Sequence, residues 1–116
     1  MQRELRLRRP ADFYRLRQVG RVQRRPGLLR SIAANDLSHN RYGIIVSKRL
    51  GNAVQRNRLR RQLRSTLMTL HPQLEAGYDL VWVVQMPLKG QPYSAILRTV
   101  IELLQQAGLV DGTQLT

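Results

Sequence analysis

An α/β fold of the α+β type, about three helices against a sheet of short strands, is what this sequence predicts. Three observations carry it. Leu59, Leu63, Leu67 and Leu70 recur at helical spacing, as do Ile96, Leu97, Val100, Ile101 and Leu104. Tyr42–Ser47 alternates from side to side as a strand does, and Tyr78–Val84 is almost unbroken apolar sequence. Prolines 72, 87 and 92 fall at the borders of these stretches. With 116 residues and 42% hydrophobic content, the chain is expected to form one domain, 1–116, around one core.

The elements follow in order. Residues 1–9, Met-Gln-Arg-Glu-Leu-Arg-Leu-Arg-Arg, form a basic arm expected to be extended and partly mobile. Pro10 suits a first helical position and Asp12 complements the helix dipole. A short helix from about residue 10 to 18 places Phe13, Leu16 and Arg17 to one side, and Gly20 ends it. Residues 21–34 hold Val22, Leu28, Leu29 and Ile32 among arginines, broken by Pro26-Gly27; they read as two short strands or one bent strand.

Asn35–Asn40 is a turn by composition. In the strand Tyr42–Ser47, Tyr42, Ile44 and Val46 face one way and Gly43, Ile45 and Ser47 the other. A loop, Lys48–Asn52, leads into a helix of about 53–70 that Pro72 stops. Tyr78–Val84 reads as a central strand and Pro87–Pro92 as a loop. Ser94 is expected to cap a last amphipathic helix reaching about 107, closed by Gly108. The tail, 109–116, is expected to fray.

Charge points to the partner. The net charge is +13, but residues 1–64 hold 18 of the 20 Lys and Arg against Glu4, Asp12 and Asp36, a net +15, while the rest is net −2. A polyanion therefore meets the first half. Only Lys48 and Lys89 are lysines. Guanidinium forks grip phosphate through two bonds and stack on bases, which favours nucleic acid over an anionic membrane surface. The absence of cysteine excludes disulfides, thiolate catalysis and Cys-based zinc sites. No apolar run approaches the ~18 residues of a membrane span, and the polar N-terminus is unlike a signal peptide. A cytoplasmic protein without a membrane partner is expected.

Catalysis by the polypeptide has little to rest on. The seven carboxylates are scattered, without the convergence that a two-metal nuclease needs. His39 and His71 have no obvious partner and are expected to be structural or solvated. Ser31, Ser47, Ser65 and Ser94 lack a nearby base.

The basic helix is more informative. Asn57, Arg60, Arg61 and Arg64 form a stripe beside and opposite the leucine seam, with Arg58 at its far edge. Arg56 does not fit. Either the helix begins beyond it, or Arg56 reaches across the sheet edge toward bound RNA. Gly51-Asn52-Ala53-Val54, preceded by Lys48 and Arg49, resembles a phosphate-binding helix N-terminus. No acidic residue lies between Lys48 and Arg64, so salt bridges along the helix cannot offset the repulsion. Phosphates can, and docking of RNA or DNA follows. Phe13 and Tyr14 suit stacking on unpaired bases, although Phe13 equally suits a core anchor with Tyr14 half exposed. Trp82, inside an apolar strand, belongs to the core.

The run Arg41-Tyr42-Gly43-Ile44-Ile45-Val46-Ser47-Lys48-Arg49-Leu50-Gly51-Asn52-Ala53-Val54-Gln55-Arg56-Asn57-Arg58-Leu59-Arg60-Arg61 closely resembles the signature of the bacterial ribonuclease P protein component. The Gly77-Tyr78-Asp79-Leu80-Val81 strand and the terminal helix match it too. The resemblance implies a ribosomal-protein-like two-layer sandwich with a mixed four-stranded sheet. It also implies a left-handed βαβ crossover, where the general rule gives a right-handed one. It further implies a non-catalytic subunit, without an obligate protein partner, of a ribonucleoprotein whose RNA, with bound Mg²⁺, hydrolyses the 5′ leader from precursor tRNA.

Carried onto this sequence, the residues docking the catalytic RNA are Lys48, Arg49, Asn52, Arg56, Asn57, Arg58, Arg60, Arg61 and Arg64. Phe13, Arg17, Ser47, Lys48 and Arg56 line the leader cleft. No metal is expected to be held by the protein alone, with an RNA-shared Mg²⁺ placed near Asn57. Three departures stand out: Arg17 replaces a second cleft aromatic, Ser31 or a neighbour replaces a tyrosine, and Gln85 replaces an arginine. Apart from the residue order, composition fits a ribosomal or general RNA-binding structural protein equally well.

Overall fold

Tyr78–Val84 (β4) is the strand around which the sheet is built. The structure, a computed structural model, describes residues 1–86 and 90–110. Its other strands are β1 (Arg21–Arg25), β2 (Leu28–Ala34) and β3 (Arg41–Val46), and its helices are α1 (Pro10–Val19), α2 (Ala53–Leu70) and α3 (Tyr93–Gln106). The order across the sheet is β1-β2-β4-β3. β2 pairs antiparallel with both β1 and β4, whereas β3 runs parallel to β4, making a mixed four-stranded sheet. A parallel pair needs a long crossover, and α2 supplies it.

The apolar run of β4 follows from cover on both faces. Leu80, Trp82 and Val84 face α2 and α3, together with Leu28, Ile32, Tyr42 and Val46. Val81 faces α1, where it clusters with Leu7 and Leu16. The expected leucine seam of α2 is buried at all four positions, and α3 adds Leu103 to the anticipated inward set. The stretch 21–34 is a hairpin, with Arg25 opposite Leu28 across Pro26-Gly27. A two-residue Pro-Gly loop with Gly27 at φ 89° has the pattern of a type II turn.

Several sequence expectations need correction. The basic arm is docked: Arg3–Leu5 forms a 3-10 turn, Leu5 and Leu7 are buried, and Leu7 N–H donates to Tyr42 O at 2.9 Å. Lys48–Leu50 is a 3-10 turn rather than plain loop. Ser94 is not the cap of α3. The helix starts at Tyr93 behind Pro92, whose preset extended backbone serves as the boundary without a side-chain bond. Fraying was expected from residue 109, but Leu109 and Val110 are buried and Leu109 N–H closes the helix onto Leu104 O at 3.1 Å. Residues 111–116 and part of the expected Pro87–Pro92 loop lie outside the described residues.

The histidines have partners that sequence spacing hides. His71 Nδ1 lies 2.7 Å from Tyr42 Oη, and burial raises that tyrosine to about 12. His39 Nε2 lies 3.2 Å from Glu4 O.

Asp79, at the start of β4, has a fully buried side chain. Its carboxylate accepts from Arg41 Nε at 2.8 Å and Nη2 at 2.7 Å, from Arg15 Nη2 at 3.0 Å and from Asn35 Nδ2 at 2.9 Å. Burial alone pushes this carboxyl up, but the bonds from Arg41, Asn35 and Arg15 together outweigh it and hold the group below its ordinary 3.8. Its contribution to stability is therefore complete above that value and is lost as pH falls through the folded-state value. Asp79→Asn is expected to cost about 3 kcal/mol in urea unfolding at pH 7, because two guanidinium groups lose their countercharge. The variant should also lose part of the wild-type decline in stability below about pH 4; an unaltered acid profile would contradict this role.

Candidate nucleic-acid interface

The N-terminus of α2 is fixed by its own sequence. Gly51 takes φ 129°, a left-handed backbone that a side chain would strain, and an added Cβ would meet Gln55 Oε1. Asn52 and Gln55 then form a capping box: Asn52 Oδ1 accepts from Gln55 N–H at 2.9 Å, and Gln55 Oε1 accepts from Asn52 N–H at 3.0 Å. The side chain of Asn52, expected at the nucleic-acid surface, is thus engaged in the cap. Ser47 Oγ accepts from Arg49 N–H at 3.2 Å, which sets the turn carrying the exposed Lys48 and Arg49.

Beyond the cap, the helix distributes the predicted residues over two flanks. Asn57, Arg61 and Arg64 line one cavity of about 450 Å³ together with Arg6 and Met1 of the arm. Arg58 lies on the other flank, in a smaller cavity shared with Leu50, Gln62 and Gly90. Arg60 Nη1 donates to Asn57 Oδ1 at 2.9 Å. Arg56 lies within α2, so the helix does not begin beyond it; the residue is half-buried and its Nε is enclosed without a hydrogen-bond partner.

Among the described residues, no arginine of α2 forms an ion pair. Burial lowers Arg64 from its ordinary value, and Arg6 and Arg60 lower it further. Crowded cations without countercharge hold a strong local positive potential.

Arg6 is the main residue that sequence reasoning missed here. The alternation of Leu5 and Leu7 with Arg6 and Arg8 is a strand-like signal that could have found it. Arg6 pairs with Tyr42 in an isolated parallel bridge, which seats the arm alongside β3.

Phe13 lies half-buried against β3. A Cβ on Gly43 would stand 2.9 Å from Phe13 Cε1 and Cζ, so the glycine is what lets the ring approach the strand this closely. Phe13 is therefore both a packing residue and a wall of the cavity of about 170 Å³ that also touches Arg6 and Arg64. Ser47 lies just past the end of β3, four residues beyond Gly43 and roughly 13 Å away at strand rise. Arg17 is exposed, one turn beyond Phe13, and Tyr14 is 63% exposed, more than expected.

Metal ligands are scarce. Among the described residues, no group of three or more His, Asp or Glu is placed to hold a metal. Around Asn57 the neighbours are cations, and its side-chain oxygen already accepts from Arg60. The residues present do not fit a Mg²⁺ site supplied by the protein. No helix among the described residues is long and apolar enough to cross a membrane.

The family model described as Ribonuclease P matches residues 1–108. The chain belongs to the ribonuclease P protein family. It is 41% identical to the ribonuclease P protein component of Chloroflexus aurantiacus over 113 residues, covering 97% of this chain and 84% of that one. It is 40% identical to that of Herpetosiphon aurantiacus, covering 94% and 89%. The fold superposes on the RNase P protein of Staphylococcus aureus with a TM-score of 0.86 at 27% identity, covering 92% and 98% of the two chains.

The cap gives a direct test of how this interface is held. Asn52→Ala is expected to lower stability by about 1 kcal/mol. It should also speed hydrogen exchange at the Gln55 amide; unchanged exchange there would mean that other contacts hold the first turn.

Proposed function

We propose that this chain is the protein subunit of a ribonuclease P ribonucleoprotein, binding the catalytic RNA and the 5′ leader of precursor tRNA while the RNA performs the cleavage. The observation that carries the reading is the α2 arginine array, with no ion pair among the described residues and with Arg6 of the arm set against it. Membership of the ribonuclease P protein family supports reading that cationic surface as the one that meets the RNA.

In this reading Arg60, Arg61 and Arg64, with Arg56, Asn57 and Arg58, dock RNA phosphates, and Lys48 and Arg49 extend the surface past the helix start. Asn52 acts through the cap that orients them. Phe13 offers a ring face to the single-stranded leader. Arg17, Ser47, Lys48 and Arg56 border the same cleft, with Arg17 standing where an aromatic would stack. Arginine also stacks on bases, so the replacement keeps that capacity.

Mg²⁺ belongs to the RNA in this proposal. The protein contributes fixed countercharge, which lets RNA strands approach with fewer bound cations. Three of the seven carboxylates, Asp12, Asp79 and Glu102, are each engaged by arginine.

Two measurements test the proposal in the reconstituted ribonucleoprotein. Changing Arg56, Arg60 and Arg64 together to Ala should raise the Mg²⁺ needed for half-maximal cleavage several-fold. The salt dependence of RNA binding should also fall by about 0.7–0.9 in slope per lost contact. An unmoved Mg²⁺ titration would count against the array. Phe13→Ala should weaken leader-bearing precursor by roughly tenfold more than mature tRNA, the scale of one lost stacking contact. Equal weakening would remove Phe13 from the leader site.

A further inference from the structure

The arginine with least access to solvent among the described residues lies outside α2, on β2. Arg30 is only 2% exposed, on the sheet face that α3 covers. It pairs across the hairpin with Gln23 of β1. Its Nη1 donates to Leu103 O at 3.0 Å and to Gln106 Oε1 at 3.3 Å, near the end of α3. Its Nε is buried without a hydrogen-bond partner. No carboxylate among the described residues pairs with it.

A buried guanidinium normally has a carboxylate or a full set of acceptors. This one has two neutral oxygens on one nitrogen. It also lines a cavity of about 400 Å³ with Arg21 and Gln23 of β1, Ile32 of β2 and Gln106 of α3. Burial lowers Arg30 from its ordinary value, and the neighbouring charges of Arg21 and Arg25 lower it further. Arg25 has a countercharge in Glu102 at 3.5 Å, whereas Arg21 has none among the described residues.

We propose that this cavity, between the β1–β2 hairpin and the end of α3, is a second phosphate-binding site that takes a backbone phosphate of RNA. Arg21 and Arg30 supply the charge, and the amides of Gln23 and Gln106 supply neutral donors. The C-terminal end of α3 would by itself repel an anion. That repulsion is muted because Leu103 O is occupied by Arg30 and the following carbonyls by the reversal through Gly108 and Leu109. RNA is favoured over a free anion because the cavity opens at an exposed edge strand, where Arg21 lines it and Arg24, on the opposite face of the strand, is exposed and has no countercharge among the described residues, so that a polyanion can continue past the cavity. β1 and β3 occupy opposite edges of the sheet, about 14 Å apart at ordinary strand spacing. The site is thus separate from the α2 array. Its choice of RNA rests on the proposed function.

The test is NMR of the full chain with ¹⁵N-labelled arginine, titrated separately with a short single-stranded oligoribonucleotide and with inorganic phosphate. The expected result is a saturable shift of the Arg30 Nε–H resonance with the oligonucleotide, weakened about tenfold by the surface change Arg21→Ala. A shift with phosphate but not with the oligonucleotide would overturn RNA as the ligand and leave an anion pocket. A response of the α2 arginines with Arg30 silent would overturn the second site while leaving the proposed function intact. Silence of both sets would overturn the two together. Persistence of the Arg30 shift in Arg60→Ala/Arg64→Ala protein would support a site independent of the α2 array, and its loss there would overturn that independence.

Discussion

The buried carboxylate of Asp79 is the constraint on which the placement of everything else depends. It stands at the first turn of pairing of the central strand and receives bonds from α1 through Arg15, from the β2–β3 turn through Asn35 and from β3 through Arg41. Arg41 also lies 3.5 Å from Asp12 in the first turn of α1. One carboxylate therefore fixes the helix carrying Phe13 and the strand carrying Gly43, the two surfaces that meet at the ring. A single charge deep in a sheet is costly in isolation and holds only because its lone pairs are filled. That requirement ties the geometry of a cleft to the start of β4.

The arginines divide by where their charge ends. Arg15, Arg25 and Arg41 reach carboxylates and hold elements together. Those of α2 reach none among the described residues, so their charge is not offset within the fold. Composition cannot make this division, because both kinds look alike in a count. The difference arises from topology: four elements bring Arg15, Asn35, Arg41 and Asp79 together from positions up to 64 residues apart.

Long-period elements were legible because their signals are local. The range of α2 follows from its leucine seam and from the Gly-Asn entry and Pro exit, and β4 follows from its apolar run. The resemblance in residues 41–61 carried the family, which the matches to known chains support. Other features were not legible because they depend on contacts between distant residues. His71 meets Tyr42 across 29 positions, and Arg30 meets Leu103 across 73. The boundary of α3 was misplaced for a different reason: Ser94 is a good capping residue, but the fixed backbone of Pro92 ends the extended segment first. In the candidate interface the stripe was legible as a helical face, whereas its extension by Arg6 required knowing that the arm docks.

That docking sets like charges side by side, and magnitudes show why it holds. Arg6 lowers the Arg64 guanidinium, so the two repel. Two unit charges 4 Å apart in water repel by about 1 kcal/mol, and less in salt. Against this, Leu5 and Leu7 are 6% and 5% exposed, and burying a leucine contributes about 1.5–3 kcal/mol. The backbone bond from Leu7 to Tyr42 adds to that side. Burial wins, and the arm is held beside α2 before any partner arrives. A polyanion binding there does not have to bear the ordering of those residues, which would otherwise subtract from its affinity. The alternation that hides Leu5 and Leu7 is the same one that turns Arg6 and Arg8 outward. In this arm, a short apolar pattern converts flexible charge into a preorganised surface.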